Sequence, residues 1–413
     1  MKRIRLLLIL AIQTMTSSVR TEPFLYVTNA PDGTVSVIDA VTNTVVKTIT
    51  GFHTPLFQAI TPNNKFDYVT NILNSTVAVI DIPTNTILTT ISSAQFNIPL
   101  GEGIASTWSG ETVYVANDGN DTVSRIDVAT NTVVGSAIPV GNQPIAIAIT
   151  PHDQFAYVGN AGANTISVIA IATNTVVNTI SSVQFSGLAD MVFTLDGKTL
   201  YVVNAFNNSV SRIDTATNTV VGSSISVGNT PQGLAISPDG KKIYVVNSGD
   251  GTVSIINVTT NTVIGSPITV GSNPLFMAII PDGSTGYVVN RGSDDVSVID
   301  LGSNAVVATI PVGHLPFSVV STFAAVAVVG VIRCNVFLNK TESVLQITWN
   351  KFSPHAVSYK IFNSNGDTIG TVSAQGPLQF FVCFRSMADI EGITVASVSP
   401  TGVESPRFPV TIQ

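Results

Sequence analysis

Short apolar runs of four to six residues, rich in Val, Ile and Tyr, alternate with clusters of Asn, Thr, Asp and Gly along most of the chain. Nowhere after the N-terminus do apolar residues keep the three-and-four spacing of an amphipathic helix, so the pattern predicts an all-β protein. The stretch from Pro231 to Val270 shows the grammar. Pro231 to Ile236 reads as one strand, and Pro238-Asp239-Gly240-Lys241 as a turn in which Pro presets φ and Gly accepts a positive φ. Ile243 to Val246 is a second strand, Thr252 to Ile256 a third, and Thr260-Asn261-Thr262 turns the chain into a fourth around Ile264 to Val270. Small Ser and Ala residues interleave with Val and Ile, as expected where both faces of a sheet pack against other sheets.

The unit repeats. A Tyr-Val-x-Asn-like tetrapeptide begins at Tyr26, Tyr68, Tyr114, Tyr157, Tyr201, Tyr244 and Tyr287, at intervals of 42, 46, 43, 44, 43 and 43 residues. That is the period of a four-stranded propeller blade. The Asn-Thr turn recurs at Asn43, Asn85, Asn131, Asn174 and Asn218, with Asn304-Ala305 as a weaker version. The first unit starts at its second strand, Phe24-Leu25-Tyr26, whereas Pro316 to Val320 looks like a first strand with no partner after it. The two fragments are expected to pair and close a seven-bladed β-propeller over residues 21–325, removing exposed strand edges. The segments Tyr26 to Asn29, Thr34 to Asp39 and Thr42 to Val45 resemble the YVTN-repeat β-propeller family, which includes surface-layer-type propellers. The resemblance covers about three quarters of the chain. It implies an extracytoplasmic binding or surface protein, in a family that also has nucleic-acid-binding members and distant relatives with lactonase or redox activity.

Residues 331–413 lose the period and resemble a fibronectin type III β-sandwich, with Trp349 filling the core and Tyr359 facing it. Cys334 and Cys383 lie in this tail, as one disulfide or as two buried thiols. Residues 1–20, with Lys2, Arg3 and Arg5 ahead of an apolar run from Leu6 to Ile12, read as a signal peptide, so a secreted, periplasmic or cell-surface location is expected. The charge-free stretch from Leu315 to Ile332 starts in the register of a propeller strand and contains Pro316, Ser318, Ser321 and Thr322, so no membrane span is expected beyond the signal. A net charge of -7 and the lack of a basic cluster after residue 5 make nucleic acid a poor partner.

Propeller ligands bind at a mouth of the central channel. Among the residues expected at that mouth, just after the start of each first strand, are Leu56, Phe57, Glu102, Asp190, Gln232, Phe276 and Phe317, a mainly apolar set in which Glu102 and Asp190 are the acids. His53 and His314 stand in equivalent loops flanking the first blade and are the candidate metal pair. Apart from such an ion no cofactor is expected, because haem, zincin, phosphate-loop and nucleophile-elbow motifs are all missing. Arg125 and Arg212 share one third-strand position and are expected to face solvent. These features point to an exported binding protein without a clear catalytic motif, whose partner is another protein or a surface glycan. A metal-dependent lactonase-type hydrolase and a single-stranded nucleic-acid binder are the rival readings.

Overall fold

The structure, a computed structural model, describes residues 23–97 and 103–322, and beyond them the backbone of seven strands between 333 and 409. The expected signal segment, residues 1–20, therefore lies outside the described residues. Each tyrosine repeat forms the second strand of an antiparallel sheet: Phe24–Asn29, Phe66–Asn71, Thr112–Asn117, Phe155–Asn160, Thr199–Asn204, Lys242–Asn247 and Thr285–Asn290, in blades 1 to 7. The innermost strands of blades 2 to 7 are Pro55–Ile60, Ile104–Ser106, Pro144–Ile149, Leu188–Phe193, Pro231–Ile236 and Pro274–Ile279. Blade 1 takes its innermost strand, Pro316–Ser321, from the far end of the repeat, with Tyr26 opposite Val320 and Val27 opposite Val319. Neighbouring innermost strands touch all the way round, including Pro316–Ser321 against Pro55–Ile60, so the ring is closed. Among the described residues no helix is long and apolar enough to cross a membrane.

The two halves of the repeat meet between blades. All seven tyrosines are buried, and six donate their hydroxyl to the turn asparagine of the next blade. Tyr68 reaches Asn131 at 2.5 Å and Tyr114 reaches Asn174 at 2.8 Å, while Tyr287 closes the circle on Asn43 at 2.7 Å. These six asparagines sit in the left-handed region, with φ between 52° and 57°, which Asn tolerates better than most residues. The exception is the turn that reads Asn304-Ala305, where the Asn304 Oδ1 is buried without a partner. A buried hydroxyl bond is worth about 0.5–1.5 kcal/mol. Tyr287→Phe should therefore lower the unfolding free energy by about 1 kcal/mol, whereas Tyr244→Phe, whose partner position is Asn304, should change it far less. Urea unfolding of the two variants side by side checks the latch.

The repeated asparagine that follows each tyrosine is equally structural. Asn29 Nδ2 donates to Thr34 and Ser36, and its Oδ1 accepts from Gly313 N; Asn247 and Asn290 repeat the pattern. In these three blades the groups are buried and satisfied, and in Asn117, Asn160 and Asn204 the side chain is also buried but its Oδ1 has no partner, so the motif faces the interior of the blade rather than a ligand.

The outer strands differ from the expected single run. They are continuous in blades 1, 2, 4 and 7 but split in two in blades 3, 5 and 6. The split falls at Gly135, Gly222 and Gly265, whose φ values of 68° to 69° break the extended path. Arg125 and Arg212 are half-buried, and their guanidinium groups lie over Gly135 and Gly222, where a Cβ would come within 2.2 and 2.3 Å of the terminal nitrogens.

Beyond Thr322 the backbone forms two further sheets. One has Lys340–Thr348 between Arg333–Phe337 and Gln379–Phe384, and the other runs Thr368–Ser373, Ser358–Phe362, Thr394–Val398, Phe408–Pro409. Cys334 stands opposite Ser343 and Cys383 opposite Val344, so a strand separates them. Trp349 lies outside the described residues.

Candidate functional site at the upper channel mouth

The mouth where the innermost strands begin is built by a repeated backbone device. The residue ahead of six of the seven strands is left-handed: Thr54, Gln143, Gly187, Thr230, Asn273 and Leu315 have φ between 45° and 62°. That conformation is costly for Thr and Leu. In four blades a side chain from the preceding blade holds the strained amide: Asp121 accepts from Gln143 N at 2.9 Å, Asn164 from Gly187 N at 2.9 Å, Asn208 from Thr230 N at 2.8 Å and Asp294 from Leu315 N at 2.8 Å. Just inside, the register shifts between the first residue of the strand and the third or fourth, as between Leu188 and Met191 or Pro274 and Met277. Such bulges re-aim side chains.

The re-aimed residues include Phe57, Ala146, Asp190, Phe276 and Ser318, which with Gln58 line a cavity of about 180 Å³ in the channel. Phe57 packs edge-on against Phe276 and against Phe317, with both centroid distances 5.1 Å, and Phe276 lies 5.9 Å from Phe317. Gly233 makes room for this cluster, since a Cβ there would meet Phe276 Cδ1 at 2.6 Å. The Arg291 guanidinium carbon stands 6.0 Å from the Phe317 ring centre, at the outer limit of a cation–π contact.

Asp190 is half-buried in the wall. Its Oδ1 accepts from Met191 N at 2.8 Å and its Oδ2 from Leu234 N at 3.0 Å. Burial nevertheless outweighs the two amides and pushes its carboxyl up to about 7, with no neighbouring charge contributing. Gln58 fixes its Nε2 on the carbonyls of Tyr26, at 2.7 Å, and Ser318, at 3.3 Å. Its Oε1 is buried and has no partner.

Of the other predicted residues, Leu56 is buried and its carbonyl accepts the Thr28 and Ser318 hydroxyls. Gln232 is half-buried and does not line the cavity. Glu102 lies outside the described residues. His314 Nδ1 meets Asp294 at 2.9 Å and its amide donates to Asp32, which makes it part of the closure of blade 1. His53 is exposed, with its amide on Asn71. Among the described residues no three His, Cys, Asp or Glu side chains gather to hold a metal.

Two residues of the site escaped the sequence reading, although each had a signal. Gln58 occupies a register position, opposite the Val of the repeat, where the other blades carry Ile104, Ile147, Met191, Leu234, Met277 and Val319. Arg291 follows the repeat asparagine, where the others carry Ala30, Ile72, Asp118, Ala161, Ala205 and Ser248. At the opposite mouth a larger cavity, about 460 Å³, is lined by Trp108, Ile149, Phe193, Leu195, Pro238 and other mostly apolar groups. Among the described residues none of its lining is ionisable, so of the two channel mouths the upper one carries the titratable group.

The family model described as lactonase, 7-bladed beta-propeller, matches residues 52–185 and 175–264, just over half of the chain. No curated protein matches the sequence. Among solved structures, hydrazine synthase from Kuenenia stuttgartiensis is similar at 23% identity and a TM-score of 0.59, over 66% of this chain and 94% of that one. A functionally unknown protein from Desulfotomaculum acetoxidans is similar at 19% identity and 0.63, over 72% and 98%. A protein provisionally called a 6-phosphogluconolactonase, from Bacteroides fragilis, is similar at 16% identity and 0.61, over 74% and 99%. At these identities the likeness is one of fold.

Proposed function

Since this chain belongs to the family of seven-bladed β-propeller lactonases, we propose that it is a ligand-binding propeller whose site is the upper channel mouth. The observation that carries the reading is that aromatic rings from blades 2 and 7 and a carboxyl from blade 5 line one cavity. Apolar walls with a few convergent polar groups are what small-molecule sites are made of. Bound there, a ligand also meets the outer rim of the mouth, where exposed Asn142, Asn229 and Asn273 suit a protein or surface glycan carrying the ligand group. The basic head and apolar run of residues 1–20 support export to the cell surface or beyond. The two sheets after residue 332 carry strands in the order one-two-five and four-three-six-seven, which supports a fibronectin type III-like module that spaces or presents the propeller.

A second reading is lactone hydrolysis. Family membership favours it, and so does a carboxyl poised near neutrality, the working range of a general base. Asp190 would take a proton from water as the oxygen adds to the lactone carbonyl, and would return it to the ring oxygen as the ring C–O bond breaks, giving a hydroxy acid. It ranks second because no cationic side chain lines the cavity, among the described residues, to stabilise the oxyanion.

Saturation-transfer NMR with small ammonium, carboxylate, lactone and monosaccharide fragments tests both readings. At least one class should give signals that vanish in Ala146→Leu, which fills the cavity. Hydroxy acid accumulating from the lactones in wild type but not in Asp190→Asn would put hydrolysis first. Identical signals from every class in wild type and Ala146→Leu would remove the site.

A further inference from the structure

The side chains that line the upper cavity offer it hydrogen-bond acceptors. Asp190 presents a carboxyl, Gln58 a buried carbonyl oxygen with no partner, and the Ser318 hydroxyl is already used, donating to Leu56 O at 2.7 Å. Among the described residues no Lys, Arg or His lines the space. The Gln58 amide cannot turn over to offer a donor, because both of its N–H groups are held by the carbonyls of Tyr26 and Ser318. A ligand that completes this cavity must bring hydrogen-bond donors. An unpaired buried acceptor costs stability until one arrives, and a lone carboxylate facing apolar walls calls for a positive charge. The remaining walls are ring faces and edges of Phe57 and Phe276 with Ile145, Ile147 and Met277. Aromatic rings attract cations and also accept the hydrocarbon part of an alkylammonium.

We infer that the upper channel cavity is selective for a small primary ammonium group on an apolar stem, its N–H groups shared between Gln58 Oε1 and the Asp190 carboxylate and its stem against Phe57 and Phe276. The inference rests on the proposed ligand-binding reading and deepens it by naming the ligand class. An ammonium group of this kind is found on a free amine or on the lysine side chain of a partner protein. The selectivity also carries a pH dependence with a defined sign. The charged groups near Asp190 are few: its own strand and the adjoining innermost strands of blades 4 and 6 carry no other ionisable residue. Arg291 lies over Phe317, beside the aromatic cluster, and no neighbouring charge shifts Asp190. Among the described residues that line the cavity Asp190 is the one ionisable group, so it sets the pH dependence of binding there, since an alkylammonium stays charged from pH 6 to 8.

Isothermal titration calorimetry on the full chain with isopentylammonium, its neutral isostere isopentanol and its anionic isostere isovalerate decides the point. Isopentylammonium should bind at pH 8 and bind about tenfold more weakly at pH 6, because one unit below a pKa near 7 only about a tenth of the carboxyl is ionised. Isopentanol should bind at least tenfold more weakly than the ammonium at pH 8 and show no pH dependence, and isovalerate should not bind. Gln58→Leu should weaken the ammonium by about tenfold or more, as loss of a bond to a charged donor does, with the pH dependence kept. Asp190→Asn should abolish the pH dependence. Isopentanol or isovalerate binding as tightly as the ammonium would overturn the ligand class while leaving a binding cavity in place, and ammonium affinity that is flat from pH 6 to 8 and unchanged in Asp190→Asn would remove Asp190 as its partner. Failure of all three probes, together with failure of the fragment panel, would remove the cavity as a site altogether. N-acetyl-lysine methylamide in place of isopentylammonium separates a partner's lysine from a free amine: equal affinity favours the lysine, and exclusion favours the free amine.

Discussion

Replacing Asp67 with valine should stabilise the protein at pH 7 by roughly 3 to 4 kcal/mol, a gain from deleting a charged residue. Asp67 is the second residue of the strand Phe66–Asn71, fully buried, with both carboxyl oxygens lacking a hydrogen-bond partner. The matching positions in the other blades are Leu25, Val113, Ala156, Leu200, Ile243 and Gly286, all apolar or without a side chain. Burial alone raises the Asp67 carboxyl from an ordinary 3.8 to about 8. The sign follows from proton counting. Below about pH 4 the group is neutral in both states and ionisation costs nothing. Above that, the unfolded chain releases its proton while the folded chain keeps it up to about pH 8, so folding becomes less favourable as pH rises through that window and levels off beyond it. The slope is about 1.4 kcal/mol per pH unit. Asp190, raised to about 7, adds a loss of the same sign over a shorter range, so the difference between wild type and Asp67→Val isolates Asp67. Urea unfolding at pH 4, 6 and 8 measures it. Equal pH slopes in the two proteins would mean that Asp67 has a partner or water that neutralises its burial.

That residue also marks where sequence reading stops. The blades, their number and the pairing of Phe24–Asn29 with Pro316–Ser321 were legible because each depends on local periodicity and on a strand missing at each end. The tyrosine and the turn asparagine were both legible as motifs, but that they bond to each other across blades was not. Such a contact joins residues about sixty positions apart, or 244 at the ring closure, through a geometry that no single unit contains. The channel mouth was half legible. Phe57, Phe276 and Phe317 could be placed there by counting from each proline, and closure makes blades 7, 1 and 2 neighbours, so their meeting follows from the topology. Gln58 and Asp67 stood out only as polar residues at apolar register positions, a signal visible once the seven strands are laid over one another. Whether such a residue is paired depends on the neighbouring blade. Gln58 donates to Tyr26 O in blade 1 and to Ser318 O, whereas Asp67 finds nothing. The glycines that split the outer strands show the reverse case, in which one residue in the local sequence determines the change.

A chain ending at Leu315 should fail to form the propeller, whereas one ending at Thr322 should fold and unfold cooperatively. The difference is seven residues, but they supply the innermost strand of blade 1. Pro316–Ser321 gives Tyr26 and Val27 their ladder partners, Val320 and Val319. Ser318 N donates to Thr28 Oγ1 at 3.0 Å, and Phe24 and Thr322 exchange bonds of 2.8 and 2.9 Å that tie the two ends together. Without the strand, Leu25 and Val27, both fully buried now, lose cover on one side, and the cluster that joins blades 7 and 1 loses Val319 and Phe317. At about 1.5–3 kcal/mol for each large apolar side chain, three or four such losses exceed about 5 kcal/mol and consume the margin of a domain that is stable by roughly 5–15 kcal/mol. The exposed second strand of blade 1 would also become a free edge, which invites pairing between chains. The shorter chain is therefore expected in size-exclusion chromatography as aggregate or oligomer without a cooperative thermal transition, and the longer one as a monodisperse species with such a transition. Two equally stable monomers would show that the blades hold together as an open arc, and that the clasp between Phe24–Asn29 and Pro316–Ser321 contributes little to the fold.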